Sequence, residues 1–453
     1  MQKLITKYGL AAHLAITAVA PLFLSPIASL WLAAIAAVWV VMEPSRIADE
    51  MLHDARRRVS SSVLRDPLFW VLVGLVIVSG IRALNSGIAM SYDAETSRWF
   101  LSAPPVSIMP ASVEGTGLPL FSLAVVALPV LIGCRHALGK SARYAFLLVA
   151  SALSGLGAVV MALMLRENVP EVVLLAKCPI TEPSYVGSAF GVYLAASALA
   201  LEAAFERRWL KAMPLAALAV LGNAVGLFLF APSIVAAMFA VATLVVFLYA
   251  FAYVRIKLGD STEFKYLVVF GISLVMGAML VMSIAPKSLL DGRIEPFTTG
   301  MFLPENFAAI RDALSSISSN VWKDGPWLGS GLGTFQYDLR FSASPSDWAV
   351  VTPLQKAPLN GYWLLLVERG VIGAFFLAVP IVLMLVTYLR RLVGGVTAAF
   401  PHPLCWLGLV LVAAAGVETL GDASFLAPGA ALAIAAVFSL SANAFPKEKR
   451  KNV

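Results

Sequence analysis

Residues 233–253 read SIVAAMFAVATLVVFLYAFAY, a run with no charged side chain. As a helix, a run of about 20 residues rises about 30 Å, the thickness of a bilayer's hydrocarbon core. The rest of the chain has the same character. Of its 453 residues, 60% are hydrophobic and 13% charged, with a mean hydropathy of +0.86. A soluble domain carries roughly 25% charged residues, so the surplus apolar surface needs lipid. The expected fold class is an all-α integral membrane protein.

Working outward from 233–253, about twelve such runs appear. They centre on 9–25, 27–42, 67–84, 118–134, 143–165, 185–204, 212–230, 233–253, 266–285, 371–389, 404–417 and 425–442. The first also resembles a signal peptide, with Lys3 and Lys7 ahead of it and Ala18-Val19-Ala20 as a small-x-small site. Pro21 and a second apolar run follow at once, so an uncleaved anchor is expected. With the N-terminus in the cytoplasm, the inside connections hold about 22 Lys and Arg, and the short outside ones about four (Arg82, Arg98, Arg166 and Lys177). That asymmetry predicts both termini inside.

The same bookkeeping accounts for the net charge of +7. The basic residues fall in bursts between spans, not along one face, which argues against nucleic acid. Cys134, Cys178 and Cys405 offer no metal-site spacing and no disulfide framework. The expected division is a bundle of nine spans over 1–285, a long outer loop over 286–358 carrying short helices, and three more spans over 359–453. Glu43–Asp66 reads as a helix on the inner surface, and 85–117 as an irregular outer loop rich in Ser, Pro and Gly.

Inside the long loop, Phe307, Ile310, Leu314, Ile317 and Val321 recur at helical steps, predicting one helix over Pro304–Trp322. Its other face would present Arg311, Ser315, Ser318 and Trp322, and Asp324-Gly325-Pro326 would stop it. The run Gly329-Ser330-Gly331-Leu332-Gly333 lacks the preceding strand and following Lys-Ser/Thr of a nucleotide loop. It reads as a tight turn that lets backbone approach either a ligand or a neighbouring helix. Glu368-Arg369-Gly370 precedes a full span, and an unbroken helix through it would be about 45 Å long, so a bend at Gly370 is expected. The pair either sits at the mouth of the bundle or forms a local ion pair shaping that bend. All four histidines (His13, His53, His136, His402) fall at the inner side. Outward-facing proton transfer must then use carboxylates, lysine or tyrosine, or no protein base.

Two segments resemble a known family. DGPWLGSGLGTF (Asp324–Phe335), preceded by Arg311 and Trp322, and NGYWLLLVERGVIG (Asn360–Gly373) are similar to the signature of the O-antigen ligase and polymerase superfamily. The resemblance implies a donor glycan on undecaprenyl pyrophosphate, transferred at the periplasmic face without metal or nucleotide cofactor. Ligases pass the glycan to lipid A-core, polymerases to another lipid-linked repeat unit. Carried over, Arg311 would bind pyrophosphate and Asn360 would sit at the acceptor end. Thr181-Glu182-Pro183-Ser184 resembles a further family segment and offers Glu182, with Glu368, as a proton acceptor. Arg340, Lys356, Tyr362, Arg369, Arg166 and Gly331 complete the expected substrate contacts.

The chain departs from the family pattern in two places. Leu359 stands where a histidine precedes the asparagine, and Ala231-Pro232-Ser233-Ile234 where many members carry an arginine. A good leaving group and arginine neutralisation of charge still supply much of the rate without a histidine. The missing histidine favours polymerase over ligase. The implied partners are the lipid-linked oligosaccharide, membrane lipids and polysaccharide assembly proteins such as a chain-length regulator. The rivals from other classes are a twelve-span transporter and a family member that serves as a scaffold without catalysis.

Overall fold

The computed structural model describes residues 2–42, 63–88, 90–93, 98–101, 109–113, 116–167, 186–206, 210–258, 260–285, 307–349, 351, 358, 360–395, 402–418 and 428–442. The expected surface helix at 43–66 lies almost wholly outside them. Helices dominate. In chain order they are α1 (Gln2–Phe23), α2 (Pro26–Met42), α3 (Pro67–Leu84), α4 (Gly117–Ile132), α5 (Lys140–Arg166), α6 (Gly187–Glu206) and α7 (Met213–Phe230). There follow α8 (Ser233–Leu258), α9 (Asp260–Ile284), α10 (Phe307–Asp324), α11 (Phe335–Ser342), α12 (Gly361–Gly395), α13 (Leu404–Glu418) and α14 (Pro428–Ala442).

Among the described residues, eight helices are long and apolar enough to cross a membrane, and α1, α2, α13 and α14 contribute shorter apolar stretches. The shorter ones reflect their sequences: the apolar part of a 15-residue helix such as α14 rises only about 22 Å. Large apolar side chains stay exposed along one side of the outer helices. On α2 these are Trp31, Ile35, Val38 and Met42, at steps of three and four. Such a stripe on the outside of a bundle needs lipid against it. Helix α6 is the opposite case. It is apolar on every side up to its last turns, where Glu202 and Glu206 stand, rich in alanine, and every residue from Gly187 to Phe205 is buried. Small side chains let α5, α7 and α8 close around it, the packing mode of helices in lipid. Polar ties cross this core: Asn223 on α7 donates to Ser151 O on α5 at 2.8 Å, and Tyr266 Oη on α9 donates to Ala198 O on α6 at 3.1 Å.

The end of the bundle where α3 starts and α4 finishes is held by charge. Asp66 caps α3 by accepting from Leu68 N–H at 3.0 Å. The same carboxylate meets Arg135 at 2.6 Å and His136 at 2.7 Å. A π-turn over Gly133–Ala137 at the end of α4 carries both partners. Cys134 and Cys405 are buried free thiols; Cys178 lies outside the described residues.

The segment 85–117, expected to be irregular, carries short strands. β1 (Ser86–Ile88) pairs parallel with β4 (Ser112–Val113), and β2 (Met90–Asp93) pairs antiparallel with β3 (Arg98–Leu101). β4 extends further: Ser112 bridges Leu332 of the glycine run. A ladder this short has no sequence period to announce it. It exists because the glycine run supplies the missing edge.

Candidate functional site

Helix α12 is broken. Gly370 has φ 63° and ψ −175°, so α12 consists of two pieces meeting at that residue. A break frees carbonyls at the end of the first piece and amides at the start of the second, and buried backbone groups must find other partners. The glycine run provides them. Ser330 N–H donates to Val367 O at 2.8 Å and Gly331 N–H to Glu368 O at 3.2 Å. In return, Pro326 O accepts from Val371 N–H at 2.9 Å, and Trp327 O from Ile372 N–H at 3.1 Å. The stretch 326–331 thus serves as C-cap of one piece and N-cap of the other. Of the two partners considered for the turn, this one is a neighbouring helix.

A third segment locks the pair. Arg82, in the last turn of α3, is 3% exposed. Its guanidinium donates to Glu368 O at 3.3 Å, Arg369 O at 3.0 Å and Leu328 O at 3.2 Å. Ser112 Oγ donates to Arg82 O at 2.9 Å, and Asn85 Nδ2 to Met109 O and Pro110 O at 3.2 Å each. The β4 edge then joins the glycine run, Val113 N–H donating to Leu332 O at 2.9 Å. Segments around residues 82, 112, 330 and 369 therefore form one node.

The node holds the chemistry-bearing groups as well. The Glu368 side chain faces the backbone N–H groups of Gly333 and Phe335 at the start of α11, where the helix dipole favours an anion. Asp338, one turn into α11, lies beside the Ser330 and Thr334 hydroxyls. Its Oδ2 is buried without a hydrogen-bond partner among the described residues. Burial raises the Asp338 carboxyl above its ordinary value, helped by nearby Asp324 and opposed by those two hydroxyls. A carboxyl whose folded-state value is raised holds its proton more tightly when folded, so stability falls as pH rises through the carboxylate range. Asp338→Asn should abolish that fall and raise the melting temperature at pH 7 by a few degrees, on the order of 1 kcal/mol. Melting curves from pH 4 to 7 check it; a lower melting temperature for the variant throughout would contradict it.

The expected site residues divide into groups. Glu368, Arg369 and Gly331 meet at the break. Asn360 caps the opposite end of the first α12 piece, about 15 Å along the axis from Gly370, its Oδ1 accepting from Tyr362 N–H at 2.9 Å, and Tyr362 is exposed. Arg311 is exposed on α10 and paired with its neighbour Asp312 at 3.3 Å. It lies about 16 Å along the helix axis from Trp322, the residue whose ring meets Trp363 of α12 at 6.5 Å. The polar face expected on α10 is largely covered: Ser318 is buried and bonds Leu314 O, and Trp322 packs into the cluster of Leu314, Ile317, Val321, Phe335 and Val367. Arg340 on α11 and Arg166 at the end of α5 are both exposed. Glu182 and Lys356 lie outside the described residues, as does Leu359.

Arg82 and Asp338 belong to the node without having been expected there. Arg82 had a signal, an arginine in the last turn of an apolar span, which is costly unless bonded. Asp338 had none. No family model matches the chain, and no curated protein matches it in sequence.

Proposed function

We propose that this chain is a membrane glycosyltransferase that polymerises undecaprenyl-pyrophosphate-linked repeat units of O-antigen or exopolysaccharide at the periplasmic face of a bacterial inner membrane. In this reading the four shorter apolar helices also cross, making twelve spans with both termini cytoplasmic. One observation supports it above the others. The two segments that resemble the ligase and polymerase superfamily, separated by 24 residues in sequence, are bonded to each other through the glycine run and the α12 break. An acidic and a basic side chain, Glu368 and Arg369, stand at their junction.

The chemistry is a displacement at the donor's anomeric carbon. The acceptor sugar's hydroxyl oxygen bonds to that carbon, the bond from carbon to the pyrophosphate oxygen breaks, and undecaprenyl pyrophosphate leaves. Arg369, beside Glu368, is the cation for the pyrophosphate, since a guanidinium keeps its charge near lipid and fits phosphate in a fork; Arg311, far along α10 from the break, contacts a more distant part of the donor. Glu368 takes the hydroxyl proton. No cofactor or metal enters this step.

The broken helix also suits a twelve-span transporter, in which half-helix ends grip a substrate. Here the freed groups are taken by the 326–331 turn and Arg82, which leaves fewer of them for a cargo. The test is purified protein supplied with lipid-linked repeat units and no energy source. A ladder of product lengths is expected, with Glu368→Gln slowing it about 100-fold or more. Absence of a ladder, or an unaltered ladder from Glu368→Gln, would overturn the enzyme or its base respectively. Transfer to lipid A-core alone would point to a ligase.

A further inference from the structure

A second polar cluster lies at the far end of the bundle from the node, and the glycan chemistry makes no use of it. Glu202 and Glu206 sit four residues apart at the end of α6, on one face. His402 reaches them from the residue pair that precedes α13, so the donors come from one helix and the approach to another. Each of the three offers a ligand atom, and these atoms all lie within 4.8 Å of one another. His402 Nε2 stands 3.4 Å from Glu206 Oε2 and 3.7 Å from Glu202 Oε1.

Those separations decide what fits between the donors. A direct charge-assisted hydrogen bond closes to about 2.7–2.9 Å, as His136 and Asp66 do at 2.7 Å in this same chain. Two ligands held at about 2.0–2.1 Å by a tetrahedral metal ion sit roughly 3.4 Å apart. His402 stands at about that second distance from each carboxylate. We propose that Glu202, Glu206 and His402 bind a first-row divalent metal ion, with water completing its shell.

The donor types select the ion. Imidazole with two carboxylates favours Zn²⁺ or Mn²⁺ over Mg²⁺ and Ca²⁺, which prefer all-oxygen shells. Glu202 is fully buried within an apolar span, where an ionised carboxylate is costly unless a cation offsets it. Surrounding groups suit the role. Tyr144 Oη lies 3.1 Å from both Nδ1 and Nε2 of His402 and accepts a hydrogen bond from Nδ1–H when Nε2 binds the ion, the usual support for a ligating histidine. That tautomer releases Leu404 N–H, which otherwise donates to Nδ1 at 3.2 Å. Tyr253 Oη reaches Glu206 at 3.5 Å, and its ring lies 4.8 Å from the imidazole. Joining α6 to α13, the ion would staple the central helix to the C-terminal part of the bundle.

Full-length protein purified without a polyhistidine tag would be titrated with ZnCl₂, MnCl₂ and MgCl₂ and its bound metal measured after dialysis. One Zn²⁺ per chain and a raised melting temperature are expected, with weaker Mn²⁺ binding and no comparable effect of Mg²⁺. Glu206→Gln and His402→Gln, both at partly exposed side chains, should each weaken Zn²⁺ binding at least tenfold, and Tyr144→Phe about tenfold. Melting curves without metal show whether each variant is folded. Wild-type protein that retains no Zn²⁺, or variants that bind as the wild type does, would overturn the site. A protein cation such as Arg143, which lies near Cys405 on this end, would then be the neutralising group.

Discussion

Gly370→Ala is expected to be among the most damaging single substitutions in the chain, costing on the order of 3 kcal/mol or more. The residue sits at φ 63° and ψ −175°, a region that only glycine occupies at ease. Steric overlap compounds the strain. A Cβ on Gly370 would lie 2.5 Å from both Gly329 N and Trp327 C. Those are backbone atoms held by the bonds from Val371 and Ile372, so they cannot swing aside. The relation is mutual: at Gly329, with φ 74°, a Cβ would lie 2.5 Å from Glu368 C and 2.6 Å from Gly370 N. Gly329→Ala should therefore fail in the same way. Because both damage one contact, the double variant should cost clearly less than the sum of the two. Thermal unfolding of detergent-purified protein reads all three. A midpoint for Gly370→Ala within a degree of wild type would contradict the interlock.

The sequence announced one partner in this interlock more clearly than the other. A bend at Gly370 followed from length alone, because an unbroken helix from 361 would overshoot a bilayer. The apolar runs were likewise legible, since lipid imposes a hydrophobic span on each helix. The glycine run was legible only as a close approach, and its partner was not, because the contact joins backbone to backbone and no side-chain pattern encodes that. The same reason hid β4, whose pairing with Leu332 rests on main-chain bonds. On α10, the spacing of Arg311, Ser315, Ser318 and Trp322 suggested a polar face. Periodicity gives faces of an isolated helix, whereas α11 and α12 pack over more than one of them and bury Ser318. Arg311 drew weight from the resemblance, and its exposure on α10 leaves it with Asp312 for company. The cluster of Glu202, Glu206 and His402 was out of reach, because nothing in the order of the chain brings residue 402 beside residue 202.

Arg82→Ala is the second large effect expected, and it separates the weight of an arginine in the sequence from its weight in the structure. The guanidinium satisfies Glu368 O, Arg369 O and Leu328 O together. Removing it strips a donor from three carbonyls around the break, at about 1–3 kcal/mol for each one left buried and unpaired. Glu368 O keeps Gly331 N–H, so the loss falls mainly on the other two and should total roughly 3–5 kcal/mol. Arg82→Lys should recover only part of it, since one ammonium cannot span the three positions that a planar fork reaches. Arg311→Ala removes the same side chain from an exposed helix surface, where about 0.5 kcal/mol or less is expected. If glycan transfer depends on the node, Arg82→Ala should also lower turnover, by loosening the Glu368–Arg369 junction. Arg311→Ala would act through donor affinity alone, raising the apparent KM with the melting temperature unmoved. Equal melting temperatures for Arg82→Ala and Arg311→Ala would mean that water replaces the guanidinium at the break, and that the node is held by the glycine interlock without it.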